Sequence, residues 1–327
     1  MCSRPHLYAN GWQTVLSIRV PFVLATDRRR DPFGVRTRLM SGDIQSIPTA
    51  EGMVELLAEP RFELMPFESI DEQLGHLPEG SEIAITTSPT LGLEATIEWS
   101  ERASERGYEI VPHVAARYVE DRDHLAEIAR RLTEAGVTDI FVPGGDREEP
   151  AGEFESAYEL LVALEDLPYE FAEIGVTGYP EGHAFLDDET LAAAMNRKEP
   201  YATYVVTQLC YDPDAVLEWI DEIRTRGIDL PVEVGIPGVM KYQRLFGISK
   251  KVGVGDSVRF LKKTSGIVGF LRQLVGSRGT YSPDTLLEGL APYATDPYYG
   301  IRGVHIYAFN QVPDLESWRA ETLAKHR

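Results

Sequence analysis

The chain has 327 residues, 43% of them hydrophobic, with 32 basic against 52 acidic side chains and a formal net charge of −20. That length suits one large α/β barrel or two ordinary domains, and the acidic balance argues against nucleic acid or an anionic membrane as partner. No apolar run approaches the ~18 residues of a membrane span, and two cysteines, Cys2 and Cys210, give no disulfide framework and point to a reducing, cytoplasmic setting.

The opening stretch, MCSRPHLYANGWQTVLSIRVPFVLATDRRR, holds an apolar segment of signal-peptide length. It has no strongly basic start, and it ends in arginines where a cleavage site would need small residues. Residues 1–40 are therefore expected to be a poorly ordered extension, with Met40 a candidate start, and residues 41–327 to form one domain.

From residue 60 onward, β-branched runs alternate with amphipathic stretches. The runs are RFELMPF (61–67), EIAITTS (82–88), EIVPHVAA (109–116), DIFVPGGD (139–146), FAEIGVTGYP (171–180), YVVTQLCYD (204–212), PVEVGIPGV (231–239) and GVHIYAFN (303–310). Apolar runs bounded by turn residues predict strands buried on both faces. LEATIEWSERASERG, DHLAEIARRLTEAG and PDAVLEWIDEIRTRG carry apolar residues at helical spacing and end in glycine, a helix stop. GDSVRFLKKTSGIVGFLRQLVG (255–276) and SPDTLLEGLAPYA (282–294) predict two extra helices before the last strand, and LESWRAETLAKH a closing one. Eight strands alternating with helices predict an α/β fold, a single (β/α)8 barrel. The competing doubly wound sheet lacks its glycine-rich turn after the first strand, which reads FELMPFES.

In such a barrel the active site lies at the C-terminal ends of the strands. The polar residues there are Glu63, Thr86, Thr87, His113, Asp146, Tyr179, Glu181, His183, Gln208, Asp212, His305 and Asn310. Glu63 sits between Phe62 and Leu64. Pointing inward it would be a desolvated general acid; the alternative is an outward Glu on a half-exposed strand. Gln208 is either a bidentate reader of a heterocycle edge or a core amide bonded to backbone. Gly144 and Gly145 let a ligand approach the backbone, with Asp146 facing a ring N–H; the alternative is a plain turn with a helix cap. His113, following Pro112 at a strand end, is more commonly a hydrogen-bonded structural histidine. The histidines are scattered over different strands, so no metal site is expected.

Taken together, FELMPF, ITT, VPHVAAR, GGD, GYPEGH, TQLCYD, GIPGV and VHIYAFN resemble the methylenetetrahydrofolate reductase family, in that family's order and close to its spacing, over residues 60–312. The resemblance implies a cytoplasmic oxidoreductase acting on CH–NH bonds. It would reduce 5,10-methylenetetrahydrofolate to 5-methyltetrahydrofolate, the one-carbon step serving methionine biosynthesis, with NAD(P)H as co-substrate and FAD as cofactor. It implies Glu63 and Asp146 as catalytic residues, with Gln208, Asp146 and Thr86 binding substrate. Thr86, His113, Gly145, Asp146, Tyr179, His183 and Arg197 would line the flavin. Partners are then small molecules, in a homo-oligomer, with neither nucleic acid nor membrane.

The sequence departs from the family at Gly144, where an arginine is usual, and at Ala193 and Asn196, where an asparagine and an arginine are usual. The alternatives are a flavin-independent reductase with direct hydride transfer and a folate- or flavin-binding barrel that needs a partner subunit.

Overall fold

The computed structural model describes residues 48–183, 185–241, 244–245 and 279–327, which fall within one compact unit, Ile44–Arg327. The extension at 1–40 and the helix expected at 255–276 lie outside the described residues. Among the described residues eight strands form the main sheet: β1 (Arg61–Leu64), β2 (Glu82–Ile85), β3 (Glu109–Pro112), β4 (Asp139–Val142), β5 (Glu173–Gly178), β6 (Tyr204–Thr207), β7 (Val232–Pro237) and β8 (Ile301–Tyr307), with Met240–Lys241 and Thr280–Tyr281 forming a separate antiparallel pair. They hydrogen-bond in the order β3-β2-β1-β8-β7-β6-β5-β4, every pairing parallel. A parallel bridge between His113 and Phe141, with Val114 N–H donating to the Phe141 carbonyl at 2.8 Å, brings β3 to β4 and nearly closes the ring. The (β/α)8 barrel predicted from eight alternations is what the chain forms.

Between the strands lie α2 (Ile70–Leu74), α3 (Gly92–Ser104), α4 (Arg122–Glu134), α5 (Ala157–Glu165), α6 (Asp188–Lys198), α7 (Pro213–Thr225) and, before β8, α8 (Asp284–Leu290). α1 (Thr49–Ala58) precedes the barrel and α9 (Val312–His326) closes it. Side chains held at the first turn start several of these helices: Asp121 accepts from His124 N–H, Asp187 from Thr190 N–H, and Ser156 with Glu159 forms a reciprocal capping box. The sequence reading has no counterpart for α1. Its first turn has no side-chain cap, because Pro48 stands there, and Gly52 interrupts its apolar stripe. Tertiary contacts hold it instead. A Cβ on Gly52 would lie 2.0 Å from the Ala291 carbonyl oxygen, so glycine permits the close approach, and Arg319 donates to the Leu57 carbonyl at 2.8 Å.

Alternation along each strand sorts side chains into two cores. Phe62, Leu64, Ile83, Ile85, Ile140, Val142, Val205, Val234 and Ile306 face outward into the main core with Leu125, Ile128, Leu160, Ile220 and Leu315 of the helices. Ala84, Val111, Phe141, Tyr204 and Val206 form a separate cluster inside the barrel. The interior mixes large with small. Gly175 pairs in register with Tyr204, and a Cβ there would meet that ring at 2.4 Å.

The N-terminal end of the barrel is sealed by charge. Arg61, 1% exposed, ion-pairs with Glu82 of β2, with Asp139 of β4 at 2.8 Å and with Glu233 of β7 at 3.1 Å, and also donates to the Tyr204 hydroxyl. Arg302 joins Glu233 at 3.1 Å and Glu173 at 2.8 Å, stacking over the Tyr204 ring at 4.4 Å. Burial pushes Asp139 up to about 6 and Glu233 up to about 7, and Arg61 is the main opposing pull on both. Replacing Arg61 with Met removes that pull, takes from Asp139 its ion-pair partner and leaves Glu233 with Arg302 alone, a loss of roughly 3–5 kcal/mol for a broken buried pair. Below about 6 those carboxylates can take up protons, so urea unfolding of R61M should show a larger deficit at alkaline than at mildly acidic pH. An equal, small deficit at both would show that the plug is not needed.

Candidate active site

β1 sends two polar side chains inward two residues apart, Arg61 at the sealed end and Glu63 one layer above it. Glu63 pairs in register with Ala84 and Tyr307, and its side chain is 11% exposed. The inward reading of Glu63 therefore holds, and the outward one does not. Its Oε2 lies 3.1 Å from His305 Nε2 and 3.8 Å from His113 Nε2. Burial pushes the Glu63 carboxyl up to about 7, with His113 the opposing influence. Burial also drives both imidazoles toward neutrality, His113 down to about 4 and His305 to about 3, and the Arg61 charge adds to each shift. The result is a buried carboxyl facing two neutral rings, with no cation to hold it ionised. The three donor atoms lie within 4.8 Å of one another. A proton shared by Glu63 and His305 accounts for their 3.1 Å contact.

His113 rests against Phe141 at 4.7 Å between ring centroids, and its Nε2 is buried without a hydrogen-bond partner. Beside Glu63, Tyr307 donates to the Thr207 carbonyl at 3.1 Å, and burial raises its hydroxyl well above the ordinary range, with Glu63, Cys210 and Tyr179 adding to the shift. The ends of β1, β5, β6 and β8 therefore meet here. A Cβ on Gly235 would lie 2.8 Å from the Tyr307 ring, so glycine makes the room that ring occupies. The chain leaves β8 through two non-glycine residues in the left-handed region, Phe309 (φ 48°) and Asn310 (φ 54°). Asn310 is held there by clamping Met65 on both sides, accepting from its N–H at 2.8 Å and donating to its carbonyl at 3.1 Å. This clamp fixes the exit of β1, two residues after Glu63.

The other predicted residues fall into different surroundings. Thr86 is half-buried, and its carbonyl accepts from Thr96. Thr87 ties β2 to β3 by donating to the His113 carbonyl at 2.6 Å. Gly145 has φ +94°, and Asp146 after it is exposed, accepting from the Tyr118 hydroxyl at 2.6 Å. Burial, and then that bond, push the Tyr118 hydroxyl up to about 12. Gln208 is half-buried, its Oε1 turned back to accept from Leu209 N–H at 2.8 Å. Tyr179 meets His183 edge to face at 5.1 Å, and His183 is exposed, accepting from Phe185 N–H through Nδ1. Arg197 is also exposed and stacks over Tyr158 at 4.1 Å.

Two strand-end residues do structural work. Glu181 accepts from Tyr211 N–H at 2.7 Å and Asp212 N–H at 3.0 Å, and Asp212 caps α7 by accepting from Asp214 N–H. The sequence reading also passed over Lys198, which is 6% exposed. It donates to the Thr177 hydroxyl at 2.9 Å and the Thr177 carbonyl at 3.1 Å, and burial lowers it to about 8.

Residues 75–263, more than half of the chain, match the methylenetetrahydrofolate reductase family profile. The chain belongs to that family. A stretch of 90 residues is 39% identical to methylenetetrahydrofolate reductase 1 of Schizosaccharomyces pombe, covering 27% of this chain and 15% of that protein. A stretch of 210 residues is 25% identical to methylenetetrahydrofolate reductase (NADH) 1 of Zea mays, covering 57% of this chain and 34% of that one. The chain thus spans well under two thirds of the curated relatives it matches. Among solved structures, a chitinase from Rhizomucor miehei aligns with 82% of this chain and 100% of its own at a TM-score of 0.44 and 13% identity, a likeness that carries no argument. Among the described residues no helix is long and apolar enough to cross a membrane.

The Glu181 contacts give the knot GYPEGH a testable structural role. Changing Glu181 to Ala leaves two loop N–H groups without that acceptor, a loss of roughly 1–3 kcal/mol. Urea unfolding of E181A should show it; unchanged stability would mean the loop from Gln208 to Asp212 does not depend on this carboxylate.

Proposed function

We propose that this chain reduces 5,10-methylenetetrahydrofolate to 5-methyltetrahydrofolate with hydride that originates on NAD(P)H, and that Glu63 is its general acid. The observation that carries the reading is the buried Glu63 carboxyl, pushed up to about 7 at the C-terminal end of β1. Such a group holds a transferable proton near neutral pH where an exposed glutamate holds none. Opening the five-membered ring needs a proton on the departing nitrogen. Glu63 gives up its O–H to that nitrogen, the C–N bond breaks, and the lone pair of the other nitrogen forms the iminium. Hydride then adds to the iminium carbon and completes the methyl group. The carboxylate left on Glu63 stabilises the cation as it forms, and Asp146 is assigned a supporting electrostatic role beside the folate ring. Gln208 and Thr86 are assigned to the folate ring.

FAD is the carrier expected of the family, and when bound it supplies the hydride. Of its expected contacts, Thr86, His113, Gly145, Asp146 and Tyr179 line strand ends. Arg197, however, is stacked on Tyr158, and His183 is engaged by Phe185. That commitment, with Gly144 in place of arginine, favours direct transfer from the nicotinamide as a second reading. The visible absorbance of the purified protein divides the two.

Changing Glu63 to Gln keeps the size and removes the proton. Folate reduction should fall by roughly 10²–10⁴-fold, while nicotinamide oxidation by an artificial acceptor, in protein that carries flavin, should survive. Because the reaction uses the acid form, wild-type turnover should decline as pH rises through about 7. Loss of both activities would make Glu63 structural; loss of neither would place the acid elsewhere. Wild-type protein that binds the folate but fails to turn it over with any donor would be a binding subunit.

A further inference from the structure

His305 Nε2 is 3.1 Å from Glu63 Oε2, and that distance alone does not say which partner owns the proton. The other face of the ring decides it. β7 and β8 pair so that His305 stands opposite Gly235 and Glu233 opposite Gly303, which places both side chains on the interior face of the barrel. His305 Nδ1 lies 3.9 Å from Glu233 Oε2. Both atoms are buried; His305 Nδ1 has no hydrogen-bond partner, while Glu233 Oε2 also pairs with Arg61 Nη1 at 3.1 Å. A carboxylate oxygen accepts more than once, so the unpartnered Nδ1 gains by closing the gap to it.

We propose that Glu233 fixes the proton of His305 on Nδ1, so that Nε2 meets Glu63 as an acceptor and Glu63 is held in its acid form. Glu233 and His305 are then positioning residues for Glu63. A carboxylate only accepts, so Nδ1 must carry the hydrogen wherever the two meet. A neutral imidazole carries one N–H, so Nε2 is then a lone pair. Two lone pairs at hydrogen-bond distance repel, and the proton that relieves this sits on Glu63.

The surrounding charges agree. His305 is neutral because burial, and the Arg61 charge beyond it, hold it at about 3, with Glu82 pulling weakly the other way. Glu63 is faced by His113 from β3 and by His305 and Tyr307 from β8, and none of these is cationic near neutrality. Glu233 is faced by Arg61, Arg302, Glu82, Asp139 and His305; burial takes it up to about 7 while the two guanidinium groups favour its carboxylate. An acid-form Glu233 has an O–H that can donate to Nδ1, so the placement belongs to the carboxylate that Arg61 and Arg302 favour. The arrangement is specific to this interior. Arg61 at the start of β1 and Glu233, the one charged residue of β7, occupy the same network.

The proton placement is a property of the chain alone, whereas its kinetic consequence rests on the reading of Glu63 as general acid. Nitrogen NMR of protein labelled at its seven histidines reports which ring nitrogen of His305 is protonated, without any turnover. The wild type is expected to carry the proton on Nδ1. In E233L it should move to Nε2, and in E233Q, whose amide oxygen still accepts, it should stay. D139N, altered in the same Arg61 network away from His305, should leave it on Nδ1. In folate reduction, E233L should shift the alkaline decline to lower pH by about one unit. That is roughly a tenfold loss on the alkaline side with the acid-side rate kept, and E233Q should recover most of it. A proton on Nε2 in the wild type overturns the proposal, as does an E233L profile lowered evenly at all pH. If E233L does not fold, the wild-type and E233Q spectra still decide. If the wild type never reduces the folate, the activity reading fails while the NMR result stands.

Discussion

The charge on Arg61 is the constraint that organises the interior. A barrel of eight strands excludes water, so every inward polar group must be answered by another inward group. Arg61 meets that demand at the sealed end with Asp139 and Glu233. The same charge lowers the basicity of His305 and His113 above it. Glu63, two residues along the same strand, therefore meets imidazoles that stay neutral. Burial is the largest influence on its proton affinity, and His113 is the one that opposes it. One cation thus stabilises the fold at one end and shapes the chemistry at the other.

The layer above is built to hold that carboxyl still. Alternation turns Glu63, His305 and Tyr307 to the same side, and Gly235 gives the Tyr307 ring its space. Asn310 grips Met65 by both backbone groups, which fixes the chain where it leaves β1. The cost of left-handed backbone at Phe309 and Asn310 is local and is offset by these bonds. A rigid frame of this kind suits a proton donor, whose efficiency depends on placement as much as on acidity.

The strands were readable because parallel barrel strands are buried on both faces and stand out as β-branched runs between turn residues. Glu63 was readable for a related reason: a charge inside FELMPF breaks the pattern, and a break in a buried strand demands a partner. The same logic applies to Arg61 and Glu233, in RFEL and VEVGIP, yet their meaning lies in each other. Their pairing spans the barrel, and no local spacing encodes it. The helix Thr49–Ala58 was hidden because its start is uncapped and its stability comes from Ala291 and Arg319, far along the chain. Glu181 and Asp212 look alike in sequence to ligand-facing groups at a strand end. Only the fold shows one binding the loop before α7 and the other capping that helix.

Infrared difference spectroscopy of the wild type against E63Q reads the Glu63 proton itself, because a protonated buried carboxyl has its own C=O band. The expected band is present under mildly acidic conditions, fades as pH rises through about 7, and is absent from E63Q. A Glu63 band that instead vanishes around the ordinary glutamate value of 4.5 would contradict it.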